Sequence, residues 1–250
     1  MSETKQRLNL IIRGHIRRTF ENTLFYDFLC EMEKRFTLSI YIHTWTLAEC
    51  ESNWRNIDQD ARKCGVSEMM IRDYFKDKVK YIRNMTIEDD ENIELHGNLE
   101  GRIANTYMPV KSWKRFIYGL KRSMQIVHDD DRIHPSLNIR FDMIQYRYFS
   151  TWHGFNFDNM VANFMSYIDS RRIGNPNFRR VNTIGPNRSG YDNCLYGKYD
   201  IFVNLFETLH TKLDQIIDTY EGNVRSQEFI VKDVVDNINK KLNFYDDKFI

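Results

Sequence analysis

The sequence predicts an α/β fold, a three-layer sandwich with a mainly parallel central sheet and a Rossmann-like N-terminal half. Three observations predict it. Residues 8–12 (LNLII) form a short, nearly unbroken apolar run, the pattern of a strand covered on both faces. Leu24, Phe25, Phe28, Leu29, Met32 and Phe36 then recur at three- and four-residue spacing, one side of a helix that Asn22 is placed to cap. Residues 38–42 are a second apolar run. Strand, helix and strand within about 36 residues make a βαβ unit, whose strands are parallel and whose crossover is right-handed.

That geometry directs attention to the strand ends, because open α/β sheets bind ligands in the crevice beyond the carboxyl ends of their strands. The first strand runs into Arg13-Gly14-His15 and the second into His43-Thr44-Trp45. Gly14 allows a sharp turn and close backbone approach. Arg13 suits a phosphate and Trp45 a stacked base or sugar, while a turn glycine, a solvated arginine and a packed tryptophan are the plainer alternatives. No G-x-G-x-x-G or G-x-x-x-x-G-K-[ST] is present, which removes the main sequence support for dinucleotide and P-loop sites.

Residues 137–148 (LNIRFDMIQYRY) carry the remaining charged pair of interest. Leu137, Ile139, Phe141 and Met143 alternate with Asn138, Arg140 and Asp142, as in a half-buried strand. On such a strand Arg140 and Asp142 share a face roughly 6.5–7 Å apart. They are either an ion pair at a sheet end or a carboxylate for a metal–diphosphate with an arginine beside it.

The intervening segments follow in order. Residues 46–65 are polar and irregular, and Ser67 caps a short helix with Met69, Met70 and Tyr74. A strand from Val79 towards Ile87 closes on the acidic residues 88–91. Residues 91–110 are loop-like. Trp113, Phe116, Ile117, Leu120, Met124 and Val127 form the apolar stripe of a helix whose other side carries Lys111, Lys114, Arg115, Lys121 and Arg122. Asp129, Asp130 and Asp131 read as a solvated turn, because adjacent side chains diverge and a metal needs convergence. A helix is expected over 158–168, a Gly-, Pro-, Asn- and Arg-rich loop over 170–191 with a short strand near 181–184, and helices after Gly197 and over 227–242.

Composition bounds the partners. The 250 residues are 42% apolar and 14% aromatic, enough for a substantial core, and 36 basic against 35 acidic residues leave a formal charge of +1. No global field draws the chain to nucleic acid or to an anionic membrane. The four cysteines have no metal-ligand spacing and read as free thiols. No segment reads as a membrane span, and Arg13 interrupts the first apolar run too early for a secretory signal, so a cytoplasmic protein is expected.

The segments LNLIIRGHIR, IYIHTW, IRFDMI and DNCLYGKYDIF together resemble a family of GT-A-like sugar transferases found in bacteria and large DNA viruses. In that family one strand ends in R-G-H-x-R, a second in H-T-W, and a later one in R-x-D, where other GT-A enzymes carry D-x-D. The matching segments run from about residue 8 to 209. The resemblance implies one glycosyltransferase domain over 1–250, with a nucleotide-binding half (1–110), a donor and acceptor half (111–220) and a C-terminal helix (221–250). It implies transfer of a sugar from a nucleotide-sugar donor to a hydroxyl of a glycan or glycoprotein, in a bacterium or a virus-infected cell. Arg13, Gly14, His15, His43, Thr44, Trp45 and Arg140 would bind the donor. Asp142 would hold Mn²⁺ or Mg²⁺ against the diphosphate, and Asp192 would deprotonate the acceptor. Arg140 stands where D-x-D enzymes place a metal-facing carboxylate. Two other readings use the same residues differently: a non-catalytic nucleotide- or carbohydrate-binding protein, and a metal-dependent phosphoesterase built on the acidic clusters 88–91 and 129–131.

Overall fold

The computed structural model describes residues 5–49, 64–103, 106, 108–144, 162, 164, 166, 182–183, 194–220 and 227–246. They contain a six-stranded sheet: β1 (Gln6–Arg13), β2 (Phe36–Trp45), β3 (Ile82–Glu88), β4 (Ser136–Arg140), β5 (Asn182–Thr183) and β6 (Cys194–Gly197), in the spatial order β3-β2-β1-β4-β6-β5. The first four are parallel and β6 runs antiparallel to both β4 and β5. The expected β1–β2 pairing is present in register from Gln6↔Phe36 to Arg13↔His43.

Helices cover both faces, giving the three layers. On one side α1 (Leu24–Arg35) and α2 (Glu68–Phe75) bury Phe25, Phe28, Leu29, Ile71 and Phe75 against Leu8, Leu10, Ile12, Leu38 and Ile40. On the other, α3 (Val110–Gln125), α4 (Tyr199–Asp218) and α5 (Gln227–Asp246) pack Trp113, Ile117, Leu120, Phe202, Leu205 and Val231 over Ile11 and Tyr41. Asn22 and Ser67 act at helix starts as expected, the first accepting from the Leu24 amide at 2.9 Å and the second from that of Met70 at 3.2 Å.

Three local expectations change. The strand reading of 137–148 extends too far: β4 stops at Arg140, and residues Phe141–Ile144 form a 3-10 turn. Phe141 and Met143 are buried, so the apolar alternation reported burial correctly but not extended backbone. The segment from Val79 begins as a 3-10 turn over Lys76–Tyr81, and only from Ile82 does the chain extend. Residues Cys194–Gly197, for which no strand is expected, are β6, and the helix expected after Gly197 follows them. Of the helix expected over 158–168, Ala162, Phe164 and Ser166 are described and helical. The loop over 170–191, apart from Asn182 and Thr183, and most of the 46–65 connection lie outside the described residues. Among those described, no helix is long and apolar enough to cross a membrane.

Candidate functional site

The strand order reverses at β1, with β2 and β3 on one side and β4 on the other. In open α/β sheets such a switch point, here between the carboxyl ends of β1 and β4, is the crevice that accepts ligands. Arg13 lies opposite both His43 and Arg140 in register, so three of the expected site residues stand side by side at this edge.

Gly14 makes the turn that follows. Its φ of +87° is left-handed, its N–H donates to the His43 carbonyl at 3.1 Å, and its carbonyl accepts from the Thr44 hydroxyl at 2.9 Å. A Cβ built at Gly14 meets nothing within 4 Å. The constraint is thus the backbone, not space. Gly14→Ala is expected to cost about 1–2 kcal/mol for a left-handed alanine, read as a lower urea midpoint at unchanged denaturant slope.

The side chains then separate into two groups. The first faces α3. Arg13 is fully buried, its Nε donating to Asn138 Oδ1 at 2.6 Å and its guanidinium lying 4.9 Å from the Phe116 ring centroid. It is an interior cation beneath the crevice floor. Trp45 is buried too, its ring beside those of His15 (5.8 Å between centroids), His43 (4.9 Å) and Tyr118 (6.1 Å). Gly119 of α3 permits this approach, since a Cβ there would sit 3.4 Å from Trp45 Cζ2 and 3.6 Å from His43 Nδ1. His15 Nε2 lies 3.6 Å from Asp90 Oδ2.

His43 Nε2 is 2.9 Å from Glu88 Oε2, and Arg122 Nε donates to Glu88 Oε1 at 2.8 Å. Burial holds the His43 imidazole below its ordinary 6.5, so the neutral ring donates its Nε2–H to the carboxylate. Burial works to raise the Glu88 carboxyl, but the bonds from His43 and Arg122 outweigh it and hold it at about 2, against an ordinary 4.5. Both groups refuse in the folded state a proton that the unfolded chain accepts. Stability from this cluster is present above pH 6.5 and declines as the pH falls through 6.5, then further from 4.5 towards 2. Urea midpoints measured from pH 8 to pH 3 should fall in that order, and Glu88→Gln should flatten the lower limb.

The second group lies beyond β4. Arg140 grips Asp142 with both ends of its fork, Nε to Oδ1 at 2.8 Å and Nη2 to Oδ2 at 2.6 Å. Arg17 Nη1 reaches the same Oδ2 at 2.7 Å, and Arg17 Nε lies 3.0 Å from Glu49 Oε2. The Arg17 amide donates to the Ala48 carbonyl at 2.7 Å, and the Thr19 hydroxyl donates to the Phe141 carbonyl at 3.1 Å. Arg17 therefore ties together the segments leaving β1, β2 and β4. Arg17 is the last residue of R-G-H-x-R, whose pattern alone assigns it no partner, and Glu49, Arg115 and Arg122 carry no separate signal in the sequence.

Asp142 has the opposite of a metal environment. Both of its oxygens accept from guanidinium groups, so a divalent ion would sit against two cations, and among the described residues no three His, Cys, Asp or Glu gather as a metal set. These residues do not fit Mn²⁺ or Mg²⁺. Asp192, the candidate base, lies outside the described residues.

Two further chemistries lose their footing. Burial pushes the Cys194 thiol up to about 12, which leaves too little thiolate for nucleophilic work. The acidic clusters of the phosphoesterase reading stand at opposite edges of the sheet. Glu88 ends β3 and Asp90 follows it, whereas Asp131 precedes β4 and pairs with Arg7 and Arg83 near the amino ends of β1 and β3. The seven residues of β3 separate these edges by roughly 20 Å. The basic side of α3 is likewise spent internally: Lys114 on Asp214, Arg115 on Glu91, Lys121 on Glu207 and Arg122 on Glu88.

Comparison of the chain with protein-family models, with curated proteins and with solved structures finds no match.

Proposed function

We propose that the chain is a nucleotide-sugar-dependent glycosyltransferase whose donor diphosphate lies in the crevice between β1 and β4. The observation that carries this reading is the convergence of the R-G-H-x-R, H-T-W and R-x-D segments on one sheet edge. Arg13, His43 and Arg140 are in register there, and Arg17 is bonded to Asp142. Residues more than a hundred positions apart meet at the switch point of a mostly parallel sheet, where the general geometry of α/β proteins places ligands.

Departure of a nucleoside diphosphate requires that its growing negative charge be met by fixed positive charge in a site of low dielectric constant. Arg17 and Arg140 supply two guanidinium groups at the crevice, each with about a fifth of its side chain exposed. Arg13 adds a buried positive charge behind the strand ends. Gly14 leaves the space above its Cα open to a donor. In this reading arginine, not a divalent ion, neutralises the leaving group. His15 and the wall of Trp45 border the same edge and are assigned to the nucleoside side of the donor.

The test is a thermal-shift panel of UDP-, GDP-, CDP- and dTDP-sugars, followed by donor-hydrolysis assays on whichever raises the melting temperature. One nucleotide class should stabilise the chain by mass action and be turned over in the presence of EDTA. Stabilisation without turnover by any donor would replace catalysis with a binding role, and no shift with any of the four would remove the reading altogether.

A further inference from the structure

We infer that Arg17 and Arg140 form a diphosphate-binding pair and that the Asp142 carboxylate occupies it as a built-in, displaceable anion. The inference rests on the transferase reading only for the identity of the molecule that carries the diphosphate.

The geometry of the grip is the first argument. Arg140 presents two parallel N–H donors to the two carboxylate oxygens, at 2.8 and 2.6 Å, and Arg17 adds a third at 2.7 Å. Forked donation from one guanidinium, completed by a second, is also how arginines hold a phosphate. Exposure is the second. The Asp142 side chain is 6% exposed and those of both arginines are 19% exposed, so the cations keep more contact with solvent than the carboxylate they hold.

Backbone strain is the third argument. Arg17 has φ +52°, a left-handed conformation that a non-glycine residue rarely adopts. It is held there by the bond from its amide to the Ala48 carbonyl, and the result is a guanidinium aimed across the crevice at the end of β4. Strain of this kind collects at ligand clamps. Location is the fourth: Arg140 is in register with Arg13 at the end of β1, where the strand order reverses, and Arg17 lies three residues beyond Gly14. Asp142 lies on the 3-10 turn after β4, so a rotation of its side chain vacates the fork without unpairing the strand. Until a ligand arrives, Asp142 keeps two like charges oriented and compensated. An incoming diphosphate brings more negative charge than the carboxylate and takes over the same donors.

The experiment titrates the full chain with inorganic pyrophosphate, UDP and GDP by calorimetry, at low salt and with EDTA. Asp142→Asn removes the competing charge, so it should bind pyrophosphate at least about tenfold more tightly than the unaltered chain, given a unit charge within about 4 Å of the ligand. Arg17→Gln and Arg140→Gln should each bind at least about tenfold more weakly, through the loss of charge-assisted donors. Tighter binding of UDP or GDP than of pyrophosphate would identify a nucleoside diphosphate as the ligand, and equal binding would identify the bare diphosphate; both support the pair. Unchanged or weaker pyrophosphate binding by Asp142→Asn would overturn it, as would full affinity in either glutamine variant. If Asp142→Asn is unfolded at 25 °C, pyrophosphate should refold it by binding the native state alone, and failure to do so counts against the inference. The transferase reading fails separately, if pyrophosphate follows the expected pattern while no nucleotide sugar is turned over.

Discussion

Asp142→Asn is expected to lower the free energy of unfolding by about 3 kcal/mol, the low end of the cost of breaking a buried ion pair. The substitution keeps the shape of the side chain and removes its charge. Arg17 and Arg140 then face a neutral amide where they held a carboxylate, while Glu49 remains beside Arg17. A solvent-exposed pair would cost roughly 0–1 kcal/mol. The difference follows from burial, since the carboxylate is 6% exposed and bonded through both oxygens. The arginines keep some contact with water, which is why the low end applies. Urea unfolding at two salt concentrations checks the result: a loss that persists at high salt belongs to a buried group. Taken with the expected gain in pyrophosphate affinity, this would make Asp142 a residue that contributes stability at the expense of ligand binding, a familiar exchange at functional sites.

The sheet was legible because its signals are local. The runs LNLII and LSIYI are apolar throughout, as strands covered on both faces must be, and the 3.6-residue period of α1 and α3 survives into the packed structure. The end of β1 was legible because Arg13-Gly14 breaks its apolar run, but β2 does not stop at Ile42: His43-Thr44-Trp45 continue it, paired with β3. What each side chain does at these ends was not legible. Period-2 alternation could not separate the end of β4 from the 3-10 turn after it, since Phe141 and Met143 are buried in either conformation. The decision belongs to contacts more than a hundred residues distant in sequence, the Arg17 ion pair and the Thr19 bond to the Phe141 carbonyl.

The charged clusters depend on distant contacts in a similar way. The periodicity of α3 marks the side opposite its apolar stripe as basic, yet Lys114 and Arg115 are buried there against Asp214 and Glu91. Such pairings depend on which loop crosses which helix, and nothing in the local composition reports it. The two arginines of R-G-H-x-R take different places. Its first arginine is an interior cation, whereas its last reaches the crevice.

Asp131 supplies the contrasting prediction. Three consecutive aspartates predict a solvated turn, and Asp129 and Asp130 are exposed, but Asp131 is buried at the amino edge of the sheet. It accepts a hydrogen bond from the Tyr41 hydroxyl, and Arg7 and Arg83 approach it at 3.6 and 3.5 Å. Its own carbonyl accepts from the Asn9 side-chain amide at 2.6 Å. Burial, then the bond to Asp131, raises the Tyr41 phenol well above its ordinary value, so the hydroxyl stays a donor and needs an acceptor. Asp131→Ala leaves that buried hydroxyl without its carboxylate and should cost about 1.5–3 kcal/mol, the range for hydrogen bonds to charged groups. Arg7 and Arg83 add little to this figure, because about half of each side chain is exposed and water takes the place of the carboxylate. The two edges of the sheet are then separable by experiment. Asp131→Ala should lower the urea midpoint while leaving pyrophosphate affinity within about twofold of the unaltered chain, because distant sites without shared partners act independently. Asp142→Asn should change both quantities, and in opposite directions. A pyrophosphate affinity that followed stability in both variants would mean that the ligand merely reports the folded fraction and that the crevice between β1 and β4 is not where it binds.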